Sequence, residues 1–280
     1  MKRRGIRRFA RSGNIYVPSS PPPTEPNAWP KTLLAAYESD TGVTLVGGSP
    51  ETVSTVGPAY GLSHASLSTP ANKPLWTPSD GNLGGCPSLN LGYSPQRGME
   101  SASAIAFGAI SQMTTVQIYH GAVALYAANT FGVVSEFPAG FGANPGMATY
   151  HFCNAGTPAP LFETWGWNTQ TQARNALGTE WIQPLCVVST HDRSLASNEV
   201  EIYVNSKTPV TSTRPTNGNN TGTFGSRIVG IGARQPVTGA GAIPGGINWA
   251  CSLYFSGIFD ATDFNLLGAW TSYKYGITLV

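Results

Sequence analysis

The sequence predicts an all-β protein, a two-sheet antiparallel sandwich with a short C-terminal helix and an extended N-terminal arm. Three observations lead to this fold class. Charged residues make up only 11% of the 280 residues, while 33 glycines and 22 prolines are present, a balance that suits strands joined by turns rather than helices. Short β-branched and aromatic segments recur between clusters of Gly, Pro, Asn and Ser, which is typical of strands. Only the last segment has clear helical spacing.

The first element is a basic arm, residues 1–17. It holds six of the 16 basic residues and no acid, so the remaining 10 bases face 14 acids and give the rest of the chain a charge of about −4. Apolar residues are interleaved with the arginines, which favours an anchor peptide whose Arg side chains pair with carboxylates of a neighbouring subunit. The predicted anchor residues are Arg3, Arg4, Arg7, Arg8, Phe9, Arg11, Ile15 and Tyr16. The alternatives are a nonspecific, salt-sensitive contact with nucleic acid and a solvated tail.

The second element is a proline-rich spacer, residues 18–30. Its prolines fix φ and favour an extended polyproline II path. At about 3.1 Å per residue, this spacer would carry the arm roughly 40 Å from the body.

The body, residues 31–280, is expected to be one domain, since β-sandwiches of about 200–250 residues are common as single cores. An apolar segment, residues 33–37, opens it. The predicted strands are Thr52–Val56, Ser88–Leu91, Ser103–Phe107, Thr115–Tyr119, Ala122–Tyr126, Thr149–Phe152, Ile182–Ser189, Val200–Asn205, Ser226–Ile231 and Cys251–Phe259. In the strand from Val200, alternation places Val200, Ile202 and Val204 on the core face and Glu201 and Tyr203 on the other.

The predicted helix closes the body. Asp260 to Asp263 supply a cap and first-turn acids, and Phe264, Leu267 and Trp270 or Thr271 recur at helical spacing before Gly276 ends the run. We expect this apolar stripe to lie on the sandwich.

Several segments together resemble a known family. They are residues 255–260 with the helix ending in Lys274-Tyr275-Gly276, residues 201–205, residues 229–234, residues 73–76 and residues 87–91. These resemble the concanavalin A-like lectin/glucanase (LamG-like) jelly rolls found in phage and bacterial surface proteins. The resemblance implies a jelly-roll topology for the sandwich and a phage virion context.

The resemblance implies that a glucanase of this fold would carry three catalytic acids on one strand. The segment of this sequence nearest to that pattern contains Glu199 and Glu201. The next positions on that face are Tyr203 and Asn205, so we predict no catalytic residues and expect solvent-facing side chains. Ser189, His191 and Asp192 invite a triad interpretation, but a triad is assembled in space rather than by adjacency. A polar loop after the strand is the expected structure there. His64, His120 and His151 stand alone in the sequence.

No metal or cofactor is predicted. The cysteines at 86, 153, 186 and 251 form no Cys-x-x-Cys pair, which argues against zinc. Calcium needs six to eight oxygen ligands, and the candidates, Asp80-Gly81-Asn82 and residues 217–220, offer one acid.

The densest aromatic cluster contains Trp165, Trp167 and Trp181. Aromatic side chains fill cores and subunit interfaces, and exposed ones stack on sugar rings. We expect core or interface, with a glycan platform as the alternative.

Together these observations predict a non-enzymatic phage virion structural protein, such as a capsid decoration protein or a fibre head, located in the virion. The basic arm would bind a capsid or tail protein of the same particle. A homo-oligomer such as a trimer and contact with host surface glycans are also expected, and no apolar run is long enough to span a membrane. The alternatives are a lectin-like adhesin domain and a glycoside hydrolase.

Overall fold

The computed structural model describes residues 22–68, 73–92, 97–121, 130–137, 147–153, 161–166, 171–176, 183–195, 200–214, 223–232 and 246–280. These residues form a β-sandwich with one C-terminal helix, so the predicted fold class is confirmed. The described strands, in chain order, are β1 (Leu33–Glu38), β2 (Val43–Leu45), β3 (Val53–Val56), β4 (Leu67–Ser68), β5 (Leu75–Thr77), β6 (Ser88–Leu91), β7 (Met99–Ser101), β8 (Ile105–Gly108), β9 (Gln112–Gly121), β10 (Thr130–Phe137), β11 (Met147–Cys153), β12 (Leu161–Gly166), β13 (Thr171–Ala176), β14 (Leu185–Asp192), β15 (Val200–Val204), β16 (Val210–Arg214), β17 (Gly225–Arg227), β18 (Gly230–Ile231) and β19 (Ile247–Ser256), and the helix α1 is Ala261–Tyr275.

The first layer is centred on β19. One edge of β19 pairs with β6 through residues 247–249 and with β1 through residues 251–255, while its other edge pairs with β9. The layer continues from β9 through β14 to β15, and β5 lies outside β6. All of these pairings are antiparallel.

The second layer runs from β2 through β3, β4, β7, β18, β10, β11 and β12 to β13. Strand β16 pairs with β15 of the first layer and with β13 of the second. The two layers therefore meet along this strand. A separate two-stranded ribbon joins β8 and β17.

Two apolar clusters cover the two faces of the first layer. Side chains such as Val187, Ile202 and Trp249 face the second layer and pack with its residues, for example Val53 and Ile231. The opposite, outer face carries a second buried cluster, which the helix residues partly cover: Val116, Ile118, Val188, Leu253, Phe255, Phe264, Leu267, Trp270 and Tyr275. Because α1 covers part of the outer face, central strands of this layer are buried on both sides.

The helix begins and ends as the sequence predicts. Asp260 caps it, accepting from the backbone N–H groups of Thr262 and Asp263, and Asp263 completes a capping box. Gly276 ends it with φ 70°, in the left-handed region that favours glycine. The predicted stripe is buried.

The end of the proline-rich spacer packs against the sandwich. Trp29 follows a short 3₁₀ turn, Pro26–Ala28, and its ring stacks on Phe255 at 5.5 Å between ring centres. It also meets Phe259 and Trp270 edge to face, at 6.1 and 6.0 Å. The place where the chain joins the body is thereby fixed beside α1.

Most predicted strands occur with shifted bounds. The segment predicted as one strand, Ser226–Ile231, is two strands, β17 and β18, which pair with different partners. The segment predicted as Ile182–Ser189 is β14, and it extends through Asp192. The prediction of a polar loop at His191 was therefore wrong. The predicted strand Ala122–Tyr126 lies outside the described residues, as do the arm, Trp167 and Trp181.

Several strands were not predicted. They are β1, which is the apolar segment that opens the body, and β2, β4, β5, β7, β10, β12, β13 and β16. Within the part of the chain that the structure describes, no helix is long and apolar enough to cross a bilayer.

Candidate functional site

A row of polar side chains crosses the outer face of the first layer. Asn90 of β6 pairs in register with Asn248 of β19, which pairs on its other side with His120 of β9. Their chain neighbours Leu89, Trp249 and Tyr119 point into the core between the layers. Since side chains alternate along a strand, the three polar residues share the outer face. We call Asn90, Asn248 and His120, with Arg97 beside them, the polar row.

Hydrogen bonds run along this row in one direction. Nη1 of Arg97 donates to Oδ1 of Asn90 at 3.3 Å, and Nδ2 of Asn90 donates to Oδ1 of Asn248 at 2.9 Å. The remaining amide donor of Asn248, Nδ2, has no hydrogen-bond partner among the described residues. Both asparagines and Arg97 are half-buried. The chain of hydrogen bonds therefore ends at Asn248, whose Nδ2 is available as a donor to a ligand or to water.

His120 is held by a buried carboxylate. Its Nε2 lies 2.8 Å from Oδ2 of Asp80, and the same oxygen accepts a hydrogen bond from Ser88 Oγ at 2.7 Å. The other oxygen, Oδ1, accepts from the backbone N–H of Asn82 at 3.0 Å. Burial raises the pKa of Asp80, but the hydrogen bonds from His120 and Ser88 outweigh it and hold the pKa below its usual value.

Asp80, a calcium-ligand candidate in the sequence, has a structural role here. Both carboxylate oxygens are engaged by protein donors, so Asp80 orients His120 and caps the turn Gly81–Leu83. Among the described residues, no group of three or more His, Cys, Asp and Glu side chains is arranged to hold a metal ion.

The loop that carries Asp80 is fixed by the end of α1. Gly84 adopts φ 63°, and a Cβ atom there would lie 3.0 Å from the backbone carbon of Tyr275. The thiol of Cys86 donates to the carbonyl of Lys274 at 3.1 Å. Because this close approach requires glycine, the loop that carries Asp80, the partner of His120, is held by packing against the end of the helix.

The chemistry of the polar row suits a ligand rich in hydroxyl groups. Asparagine amides both donate and accept, the guanidinium donates, and all are planar groups whose geometry is fixed by their neighbours. A few placed polar groups of this kind give orientation and specificity in ligand sites.

The aromatic candidates are only partly placed. Trp165 lies in β12, where its backbone pairs with Ala148 and Gln172. Its side chain, like Trp167 and Trp181, lies outside what the structure describes. Whether they line a glycan platform stays a prediction.

The acid candidate Glu201 lies on the outer face of β15 and is half-buried. Its Oε2 accepts hydrogen bonds from the hydroxyls of Tyr203 at 2.7 Å and Thr190 at 3.4 Å. Glu199 lies outside the described residues. Tyr203, predicted to face solvent, is 5% exposed because its ring packs 4.5 Å from Phe264 of α1. That prediction was wrong, since the helix covers this part of the strand.

The triad candidates do not converge. Ser189 and His191 face the interior between the layers, where Ser189 Oγ lies 3.2 Å from Thr149 Oγ1 of the second layer. Asp192 faces the other side of the sheet and accepts from Gln112 Nε2 at 2.7 Å. Burial lowers the pKa of His191 to about 3.

Sequence reasoning missed the polar row, although a signal was present. Asn90 stands between Leu89 and Leu91, and Asn248 between Ile247 and Trp249. An amide flanked by apolar residues on a central strand lies on the opposite face from those neighbours. Two such positions on paired strands indicate a polar site on an otherwise covered face.

Neither a protein-family model nor a curated protein matches this sequence. Solved structures share its fold. A mutant GH54 α-L-arabinofuranosidase soaked with 4-nitrophenyl α-L-arabinofuranoside superposes with a TM-score of 0.54 at 10% identity, covering 88% of this chain and 60% of that one. Botulinum neurotoxin type C, described as interacting with two ganglioside molecules, gives 0.52 at 11% identity, covering 79% and 49%.

The enzymatically active domain of tailspike protein 2 from bacteriophage CBA120 superposes with a TM-score of 0.50 at 11% identity, covering 79% of this chain and 33% of that one. This chain thus spans between a third and three fifths of the length of these three structures. At such identities the likeness shows the β-sandwich fold alone.

Proposed function

We propose that this chain is a structural protein of a bacteriophage particle whose β-sandwich binds glycans without cleaving them, while its basic arm attaches it to the particle. The polar row carries this proposal. Asn248 Nδ2 supplies a donor at the end of a fixed chain of hydrogen bonds on a half-buried face.

Glycan binding follows from the kind of groups that the row presents. Each sugar hydroxyl both donates and accepts, so it pairs with an amide oxygen and an amide N–H in turn. Asn90 and Asn248 are already ordered by Arg97 and by each other, which reduces the conformational entropy lost on binding. The names of the structural neighbours, a tailspike domain, a ganglioside-dependent toxin and an arabinofuranosidase, are consistent with a carbohydrate ligand.

Attachment through the arm is supported by composition and by the docking of Trp29. Six basic residues precede the prolines, and Trp29 fixes the end of the spacer against Phe255. A stiff proline-rich spacer that leaves the body at a fixed point would hold the anchoring arm away from the body. We propose a capsid or tail protein as the partner of the arm and a homo-oligomer as the assembled form.

Binding rather than hydrolysis is favoured by the surroundings of Glu201. Its carboxylate is engaged by two hydroxyl groups beside α1, whereas retaining glycosidases place two carboxyl groups about 5–5.5 Å apart across the scissile bond. The proposal therefore assigns no catalytic residue to this strand.

A glycan array probed with the full-length protein tests the proposal. We expect binding to a restricted set of glycans and a loss of at least about tenfold in affinity for Asn248→Ala, because the terminal donor is removed. Asn265→Ala is the matched control, since Asn265 is an exposed residue of α1. Equal affinity of the wild type, Asn248→Ala and Asn265→Ala for the bound glycans would overturn the proposal, and so would the absence of binding to any glycan.

A further inference from the structure

The guanidinium of Arg97 has no acidic partner in the part of the chain that the structure describes. Among the described residues, its side chain donates one hydrogen bond, from Nη1 to the neutral amide of Asn90 at 3.3 Å, and its backbone N–H donates to the carbonyl of Gly92 at 3.1 Å. Arg97 is half-buried. A partly desolvated cation whose contact within the described residues is a neutral amide has unused capacity for an anion.

The nearby carboxylate is already committed. Asp80 is 8% exposed and directs both oxygens to His120, Ser88 and the backbone of residue 82. Both of its oxygens are therefore engaged by residues other than Arg97. The local charge on the polar row is therefore positive on the side of Arg97.

The remaining guanidinium donors match a planar carboxylate. Arginine has five N–H donors in a fixed fork, and one nitrogen is used by the protein here. A carboxylate accepts two parallel hydrogen bonds from such a fork, a geometry that adds both affinity and specificity. Asn248 Nδ2, further along the row, is then placed to meet a ring hydroxyl of the same ligand.

We infer that the glycan bound by the polar row carries a carboxylate, as in a uronic or ulosonic acid, and that Arg97 receives this group. The inference rests on the proposed glycan-binding function and specifies its ligand class. It also accounts for the mixed character of the row, in which a cation lies at one end and neutral amides continue from it.

The test compares acidic glycans with their carboxyl-reduced forms. Uronic acid and sialylated oligosaccharides from the array are measured before and after reduction of the carboxylate to a primary alcohol, using full-length wild-type protein. We expect reduction to weaken binding by about tenfold or more. Arg97→Met is expected to weaken binding of the acidic form at least as much as reduction does, and to abolish the difference in affinity between the acidic and reduced forms.

Controls separate a specific fork from general charge. Arg97→Lys keeps the charge and loses the bidentate geometry, so it should recover only part of the affinity. Lys207→Met removes an exposed cation next to α1, at Asn265, and should have no effect. Sulfated glycans are included, and a preference for them over carboxylates would overturn the inference.

The binding results distinguish a failure of the carboxylate inference from a failure of the proposed glycan-binding function. If only neutral glycans bind and Asn248→Ala still weakens them, Arg97 receives no carboxylate, although the polar row remains a glycan site. If reduced and acidic forms bind equally well to the wild type, the inference is wrong. If no glycan binds, both are wrong.

Discussion

The ammonium nitrogen of Lys274 lies 2.8 Å from Oε1 of Glu38, although only 4% of the Glu38 side chain is exposed. The hydroxyl of Tyr60 donates to the same oxygen at 2.6 Å, and that of Tyr275 at 3.4 Å. Burial lowers the pKa of Lys274, but the carboxylates of Glu38 and Asp40 outweigh it and raise the pKa above its usual value. The Lys-Tyr-Gly end of the helix is therefore a clamp that joins α1 to β1.

Removal of the ammonium should destabilise the fold. Lys274→Met leaves Glu38 buried without its cation, which we expect to lower the free energy of unfolding by about 3 kcal/mol. Urea denaturation followed by tryptophan fluorescence measures the change. The double variant Glu38→Gln with Lys274→Met should recover most of the loss, because no buried charge remains. Equal stability of Lys274→Met and the wild type would contradict the clamp.

Truncation should place the boundary of the folded body before Trp29. Deletion of residues 1–21 is expected to leave the unfolding midpoint unchanged, whereas deletion of residues 1–30 removes the stacked ring and should destabilise the body. Trp29→Ala in the full chain should cost about 3–5 kcal/mol, the usual loss for a large buried aromatic side chain. If deletion of residues 1–30 has no effect on thermal unfolding, Trp29 does not stabilise the sandwich.

Acidification should destabilise the protein through His191. Burial lowers its pKa to about 3, with a smaller effect of Arg193 in the same direction, against 6.5 for an ordinary histidine. Between these values the unfolded chain binds more protons than the folded one, so stability that is present above pH 6.5 is lost as the pH falls. The slope is up to about 1.4 kcal/mol per pH unit.

Urea unfolding at pH 7.5 and pH 5 tests this expectation. The wild type should lose about 2 kcal/mol more between the two pH values than His191→Gln, which cannot take up the proton. His64 is retained in both proteins and so does not affect the comparison. Identical losses in the two proteins would show that His191 does not bind a proton on unfolding.

Deletion of residues 1–17 should leave a folded body that no longer associates with particles. Co-sedimentation with purified particles in a density gradient measures association. A second variant, Phe9→Ala with Ile15→Ala, keeps all six basic residues and tests the apolar part of the anchor. Normal association of the truncated protein would disprove anchoring by the arm, and normal association of the second variant would assign it to charge alone.

Local patterns predicted the parts of the fold that depend on local chemistry. The capping residues at Asp260 and Asp263 fixed the start of α1, and the alternation of Val200, Ile202 and Val204 identified the core face of β15. Strand β13, whose sequence is TQARNA, has no β-branched or aromatic residue after its first position. Its conformation depends on pairing with β12 and β16, which a local pattern does not reveal.

The candidate site depended on contacts between distant residues. His120 and Asp80 are separated by 40 positions and meet only because the loop after β5 packs against the end of α1. Tyr203 was assigned to the solvent face because alternation cannot show that a helix covers that face. The amides at Asn90 and Asn248 were visible in sequence, but their pairing required the register of β6 and β19.

Binding and product analysis of one array-selected glycan test the central claim most directly. The full-length protein and Asn248→Ala are each titrated with that glycan by calorimetry, and the recovered glycan is analysed by mass spectrometry after prolonged incubation. We predict saturable binding by the wild type, at least about tenfold weaker binding by the variant, and a glycan of unchanged mass. Cleaved glycan, or equal affinity in the two proteins, would contradict a non-catalytic site at the polar row.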